Sequence, residues 1–140
     1  MPLVANDTSG AVTRKRLEAF AAKEEKVTVV AATDAATVQV AATLAAAKTV
    51  VYTMTPTATR TLTTPTGAEL GTAFTDEAVG TSFEFTVVNG AAATHAITLT
   101  AGASGVTLGG VAGMATIAAA SSASFVAVFT AANTVTIYRK

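Results

Sequence analysis

The chain has 140 residues and a mass of 13.9 kDa, which fits one domain with a short extension. Hydrophobic residues make up 51% of it and charged residues 13%, and a formal net charge of zero gives no basic surface for nucleic acid. The absence of cysteine excludes a disulfide framework, a thiolate metal site and a cysteine nucleophile.

The apolar character of the chain is not concentrated in a membrane segment. Mean hydropathy is +0.52, but no apolar run reaches the roughly 18 residues that a transmembrane helix needs. The first residues lack the basic-then-apolar layout of a secretory signal, so we expect no membrane crossing and no membrane partner. A weakly charged, apolar chain of zero net charge tends to self-associate, which predicts a homo-oligomer.

The first part of the chain, residues 1–26, is predicted to be an attachment arm. Residues 1–13, MPLVANDTSGAVT, show no periodicity and predict an extended segment that becomes ordered on a partner. Residues 14–26, RKRLEAFAAKEEK, predict a helix with Leu17 and Phe20 on one stripe.

Three cations open this helix: Arg14, Lys15 and Arg16. They are either a docking patch for an acidic partner or simply the solvated start of a helix. The solvated helix start is the favoured interpretation, although cations at a helix N-terminus oppose its dipole by a few tenths of a kcal/mol each, which argues mildly for a use.

From Val27 the composition changes to valine and threonine alternating with alanine, and charges nearly vanish. β-Branched residues favour strands. We therefore predict strands near residues 27–31, 36–42, 48–54 and 58–63. Alanine also favours helices, so the stretch 41–47 is ambiguous, and Pro56 and Pro65 mark strand ends.

A short helix is predicted over residues 66–74. Thr66 and Glu69 have the spacing of a capping box, and Leu70 and Phe74 fall on one face. Residues 76–80 then form a turn.

The central feature of the pattern is the stretch 81–100, TSFEFTVVNGAAATHAITLT. Strict alternation in both of its halves predicts two strands. Asn89 and Gly90 between them suit the positive φ angles of a tight turn, so the stretch is predicted to be a β-hairpin.

Further short strands are predicted after residue 100, around 106–108, 114–117, 125–129 and 135–137, with glycine or asparagine turns between them. The spacing predicts an all-β domain, a β-sandwich or jelly roll, over residues 27–140. No second domain is expected.

No catalytic, cofactor or metal site is predicted. His95 is the single histidine and shares its strand face with apolar neighbours, so a packed or interface histidine is favoured over a catalytic one. Asp76, Glu77 and Glu84 form the one carboxylate cluster of the β region, and acids in a turn usually face water.

Two further groups of residues are interpreted as structural. The glycines between 102 and 113 match neither the dinucleotide nor the phosphate-loop pattern and are expected in turns and bulges. Four phenylalanines could line a groove, but their alternation favours the core: Phe83, Phe85, Phe125 and Phe129.

Residues 60–140 resemble a module of tailed-bacteriophage structural proteins, and in particular small capsid decoration, or cement, proteins. The most characteristic pieces are SFEFTVVN at residues 82–89 and TVTIYR at residues 134–139. Related patterns occur near the ends of phage fibre proteins.

The resemblance implies a β-sandwich or jelly-roll subunit, with no enzyme activity and no cofactor, that forms trimers on the outer surface of a phage head. It would be made in the cytoplasm of the bacterial host and would stabilise contacts between major capsid subunits in the virion. Residues 1–26 would then dock on the capsid, through Arg14, Lys15, Arg16, Leu17 and Phe20.

Two other functions are possible on this basis. The chain could be a tail or fibre adaptor or a receptor-binding module, although no long fibrous repeat accompanies it. A carbohydrate-binding module would usually show exposed aromatic platforms, and this chain has no tryptophan and only Tyr52 and Tyr138.

Overall fold

The computed structural model describes residues 14–75 and 78–140, and within these ranges it has three short helices and ten strands. The helices are α1 (Arg14–Glu25), α2 (Ala41–Ala45) and α3 (Gly67–Ala73). The strands are β1 (Val27–Ala31), β2 (Thr37–Val38), β3 (Thr49–Met54), β4 (Arg60–Thr63), β5 (Ser82–Asn89), β6 (Ile97–Thr100), β7 (Val106–Leu108), β8 (Thr116–Ile117), β9 (Ser121–Ala131) and β10 (Thr134–Arg139).

The strands form two sheets. A six-stranded sheet has the order β1-β3-β5-β9-β10-β7, and a four-stranded sheet has the order β2-β4-β6-β8. From β1 to β6 the chain alternates between the two sheets, so strands that follow each other in sequence never pair. Each of these strands pairs instead with the strand two places before or after it in the sequence.

This alternation winds the first six strands into a coil of three turns. In the six-stranded sheet, Val27 of β1 is paired with Thr49 of β3, which is paired with Glu84 of β5. In the four-stranded sheet, β2, β4 and β6 stack in the same direction. All four of these pairings are parallel because each turn of the coil repeats the direction of the previous one.

The last part of the chain closes the two sheets. Strand β9 is antiparallel to β5 along the whole length of β5, and β10 lies antiparallel to β9 and parallel to β7. Strand β8 is antiparallel to β6 at the edge of the four-stranded sheet. The open ends of the coil are therefore different, since β5 and β6 gain partners whereas β1 and β2 remain edge strands.

The prediction of an all-β sandwich or jelly roll is wrong. The fold is mixed α/β, with two mixed sheets and three short helices. Among the strand pairs of the described residues, five are parallel and three antiparallel, whereas a jelly roll is built from antiparallel strands. Period-two alternation identified the strands, but it carries no information on their direction.

The predicted hairpin over residues 81–100 is also wrong. Its two halves form β5 and β6, but these strands belong to different sheets, and residues 90–96 cross from one sheet to the other. Neither Asn89 nor Gly90 has a positive φ angle. Glycine is needed at position 90 for space, because a Cβ atom there would lie 2.7 Å from Thr55 Oγ1.

The helices agree better with the sequence. Helix α1 lies where residues 14–26 predicted it, and the capping box of α3 is confirmed, with both Thr66 and Glu69 making their reciprocal bonds. The predicted strand over 36–42 is reduced to β2, because the alanine-rich part of it begins α2. Alanine has the highest helix propensity of all residues, and it decides this ambiguous stretch.

The core lies between the two sheets. Phe85 and Phe125 stack with their ring centroids 5.1 Å apart, and Phe74 stacks on Phe83 at 4.7 Å. The four alternating phenylalanines are all buried, which confirms that they belong to the core. The largest fully buried side chains are Phe85, Phe125, Phe129, Leu44, Leu62, Leu70, Ile97, Leu99, Ile117, Ile137, Val50 and Val87.

Asn89 connects the two sheets by hydrogen bonds. Its side chain is 1% exposed, and its Nδ2 atom donates to the carbonyl oxygens of His95 and Ile117 at 2.8 and 3.0 Å. Its Oδ1 atom accepts from the Ala91 N–H at 3.0 Å. The residue that the sequence places in a turn is therefore an internal anchor for the crossing segment.

Candidate functional site

The first turn of the coil carries the most exposed apolar side chains at a sheet edge. Val27 and Val29 lie on β1, and Val38 and Val40 lie on β2 or just after it, with exposed fractions between 58% and 64%. Because β1 and β2 are edge strands of stacked sheets, they lie at the same end of the sandwich. Alternation places Val27 and Val29 on the outer face of the six-stranded sheet and Val38 and Val40 on the outer face of the four-stranded sheet. We call this end of the sandwich, defined by these four valines, the first-turn surface.

Buried polar atoms without a hydrogen-bond partner also concentrate near this end. Within the described part of the chain, they are Thr28 Oγ1, both amide atoms of Gln39 and the hydroxyl of Tyr52. Thr28 lies on β1, Gln39 follows β2, and Tyr52 lies on the neighbouring strand β3. Buried polar groups are nearly always paired in folded proteins, so these three residues are exceptions within the described part of the chain.

Burial raises the pKa of Tyr52 to about 12, against the weaker opposing effect of the Val40 backbone. The phenol is therefore neutral in any physiological solution. It acts as a packed core residue with a polar tip below the first-turn surface.

A shallow groove of about 630 Å³ opens beside β2, between α2 and α3. Its walls are mostly small and apolar, and they include Val38, Val40, Ala41, Ala42, Ala68 and Ala73. Gln39 also lines the groove although its side chain is only 3% exposed. Its two amide atoms are buried and have no hydrogen-bond partner among the described residues.

The other polar side chains of the groove already have partners. Glu69 accepts hydrogen bonds from the Thr66 N–H and hydroxyl at 2.8 and 2.9 Å, and these bonds lower the pKa of its carboxyl group. Thr72 donates its hydroxyl to the Ala68 carbonyl at 3.0 Å. Gln39 is therefore the polar group of the described groove whose hydrogen-bonding capacity remains unused.

The last turn of α1 is attached to the body of the fold. The Lys48 N–H lies 3.1 Å from the Lys23 carbonyl and 3.0 Å from the Lys26 carbonyl, and the Lys23 ammonium lies 5.4 Å from the centre of the Phe74 ring. Of the α1 side chains that the structure describes, Lys23 is half-buried and the others are exposed.

The five predicted docking residues are all in the helix: Arg14, Lys15, Arg16, Leu17 and Phe20. Their side chains lie outside the described part of the structure. The docking patch therefore stays a prediction.

The other residues considered from the sequence are dispersed. His95 is half-buried and precedes β6, and its carbonyl oxygen accepts the bond from Asn89. Glu84 pairs with Lys140 at 2.9 Å on the outer face of the six-stranded sheet. Asp76 and Glu77 lie outside the described residues.

An ion pair joins the first and second turns of the coil on the surface. The Arg60 Nε atom lies 2.6 Å from Asp34 Oδ1, and Thr57 also donates to this carboxylate. These donors, led by Arg60, hold the pKa of Asp34 well below its usual range. The pair links the loop after β1 to the start of β4.

The described residues hold no group of three or more histidine, aspartate or glutamate side chains that could bind a metal ion. No helix among them is both long and apolar enough for a membrane crossing. Comparisons with protein-family models, curated proteins and solved structures found no match to this chain.

The sequence did not identify Gln39 or the groove. Alternation in TVQV at residues 37–40 places Gln39 opposite the exposed valines, which is the one signal that it points inward. Nothing in the sequence shows that an inward-pointing glutamine lacks a partner, because that depends on how α2 and α3 pack around it.

Proposed function

We propose that the chain is a structural subunit of a tailed phage that binds to the outer surface of the head and stabilises contacts between major capsid subunits. The observation that carries the proposal is the first-turn surface, where two sheet edges expose four valines at one end of the sandwich. Exposed edge strands and apolar side chains are the features of a surface that is covered by another protein.

The sequence resemblance supplies the identity of the proposed partner. Its most characteristic pieces are residues 82–89 and 134–139, which form all of β5 and all of β10. In the decoration role, many copies would each bury a modest apolar area, and their small stabilisations would add over the shell. The proposed docking region is residues 1–26, which lead directly into β1.

The test is co-sedimentation of the purified chain with heads of the phage that encodes it, prepared without this protein. We expect saturable binding and a higher temperature of head disruption. The triple variant Arg14→Gln, Lys15→Gln and Arg16→Gln should bind more weakly, whereas Arg139→Gln, a cation at the end of strand β10, should bind normally. A chain that stays in the supernatant at all concentrations would refute the decoration role.

A role in the tail or in a fibre is the second candidate. The three-turn coil favours it to some extent, because stacked parallel turns with an open end suit end-to-end assembly. Binding to purified tails but not to heads in the same assay would establish this role instead.

A further inference from the structure

We propose that Asn89 is a site of spontaneous deamidation that the complete fold protects and that the unfolded or incomplete chain exposes. The product is an aspartyl or isoaspartyl residue, which cannot hold the segment that crosses between the two sheets. The inference concerns the chemistry of the chain itself and does not depend on binding to a phage head.

The chemistry follows from the residue pair Asn89-Gly90. Of the asparagines in the sequence, Asn89 is the one that glycine follows. Glycine has no Cβ atom, so in a flexible chain its backbone rotates freely and its amide nitrogen is little hindered. This nitrogen can therefore reach the side-chain carbonyl carbon of the preceding asparagine. The other asparagines precede Asp7 and Thr134, whose side chains hinder the same approach.

The reaction needs only water as a co-reactant. The Gly90 nitrogen forms a bond to Cγ of Asn89 and gives up its proton, the Cγ–Nδ2 bond breaks, and ammonia leaves with that proton. The product is a cyclic imide. Water then opens the ring at Cγ, which gives aspartate, or at the main-chain carbonyl carbon, which gives isoaspartate. Neither step oxidises or reduces the chain.

In the folded chain the attacking nitrogen is held in the six-stranded sheet. The Gly90 N–H donates to the Met54 carbonyl at 2.8 Å. Asn89 itself is paired with Met54 on β3 and with Ser121 on β9. Ring closure would require the peptide group between Asn89 and Gly90 to rotate out of this extended arrangement and to break the bond to Met54. The sheet therefore opposes the first step.

The side-chain amide of Asn89 is also held in place. It is 1% exposed, and its Nδ2 atom donates to the carbonyl oxygens of His95 and Ile117 at 2.8 and 3.0 Å. Its Oδ1 atom accepts from the Ala91 N–H at 3.0 Å. The amide cannot turn toward the Gly90 nitrogen without losing these bonds, and its burial excludes the water that the second step consumes.

These protecting contacts come from distant parts of the chain. Met54 lies on β3, whereas Ile117 lies on β8, 28 positions after Asn89 in the sequence. The full set therefore exists only when both sheets have formed around the crossing segment. A chain that is unfolded, or that ends before β8, leaves the pair Asn89-Gly90 open to the reaction.

The fold does not accommodate either product. An isoaspartyl residue carries its side-chain methylene in the main chain, so it lengthens β5 by one atom where it pairs with Met54 and Ser121 and shifts the register there. An aspartyl residue keeps the main chain but lacks the Nδ2 donor for the carbonyl groups of His95 and Ile117. Ammonia is lost, so the chain does not return to asparagine.

The test compares the folded and the unfolded full chain in the same mildly alkaline buffer. One sample stays native, the other is unfolded in guanidinium chloride, and the amide at residue 89 is followed by peptide mass mapping. We expect deamidation at residue 89 to be at least roughly a hundredfold slower in the native sample, because only its small unfolded fraction reacts. The matched control is Gly90→Ala, incubated unfolded, in which Asn89 should react at least roughly tenfold more slowly than in the parent chain.

The partly deamidated sample is then diluted to allow refolding, and folded and unfolded molecules are separated by size. We expect intact Asn89 in the folded fraction and aspartate or isoaspartate in the unfolded one. Equal reaction rates in the native and unfolded samples, or no reaction at residue 89 in the unfolded chain, would overturn the proposed site. Equal amounts of modified residue 89 in the two fractions would overturn the claim that the fold rejects the product.

Discussion

Asn89 provides the most direct test of how the two sheets are connected. Asn89→Asp keeps the shape of the side chain but replaces the Nδ2 donor by an oxygen. The carbonyl groups of His95 and Ile117, which now accept from Nδ2 at 2.8 and 3.0 Å, lose their partner and face a third oxygen. Only the bond from the Ala91 N–H can remain.

The expected loss of stability follows from the burial of this site. A buried polar group that loses its partner costs about 1–3 kcal/mol, so two carbonyl groups give about 2–6 kcal/mol. This is a large part of the roughly 5–15 kcal/mol by which a domain is stable. The free energy of unfolding is measured by urea titration, followed by circular dichroism.

Ala112→Asp is the control, because it introduces the same carboxylate at an exposed site between β7 and β8. We expect this variant to lie within about 0.5 kcal/mol of the parent chain. If Asn89→Asp unfolds at the same urea concentration as Ala112→Asp, Asn89 does not anchor the crossing segment and the reasoning is wrong.

Four other substitutions test separate features. Phe85→Ala should lower the free energy of unfolding by about 3–5 kcal/mol because the ring is buried, and Val111→Ala, at an exposed site, should change it little; equal effects would contradict the core assignment. Thr66→Ala should cost about 1 kcal/mol through loss of the α3 cap, measured by the same titration. Asp34 has a lowered pKa in the folded chain, so its contribution to the free energy of unfolding is present above about pH 4, the pKa of the unfolded-state carboxyl group, and is lost as the pH falls below it. Asp34→Asn should therefore flatten the decline in urea midpoint below about pH 5. Gln39→Leu should raise the free energy of unfolding of the isolated chain by about 1–2 kcal/mol, since it removes an unpaired buried amide. A lower urea midpoint than that of the parent chain would show that this amide is satisfied.

The sequence identified local structure well because local patterns determine it. The capping box at Thr66 and the alternation around Phe85 depend on residues a few positions apart, and both are found as predicted. The direction of the strands depends on contacts between distant residues. A local pattern cannot show these contacts, and the predicted hairpin failed for this reason.

One sequence signal of the parallel arrangement was present. The triplet Thr-Leu-Thr occurs at residues 61–63 and again at 98–100, and the structure pairs the two triplets in register, with Leu62 beside Leu99. Repeated strands in parallel register are typical of coiled, repeat-like folds. The groove beside β2 had no comparable signal, because its shape is produced by the packing of α2 against α3.

The winding of the chain also affects how it can fold during synthesis. The three turns up to β6 can stack in order as the ribosome delivers them, but the open side of β5 must wait for β9, whose residues Ser121–Ala131 come near the end of the chain. Until then, Phe83 and Phe85 lie on an unprotected strand edge. Distant pairings of this kind slow folding and expose partly folded chains to aggregation. Completion of the domain therefore depends on its last twenty residues, and a nascent chain that stops before β9 has an apolar edge that a chaperone can recognise.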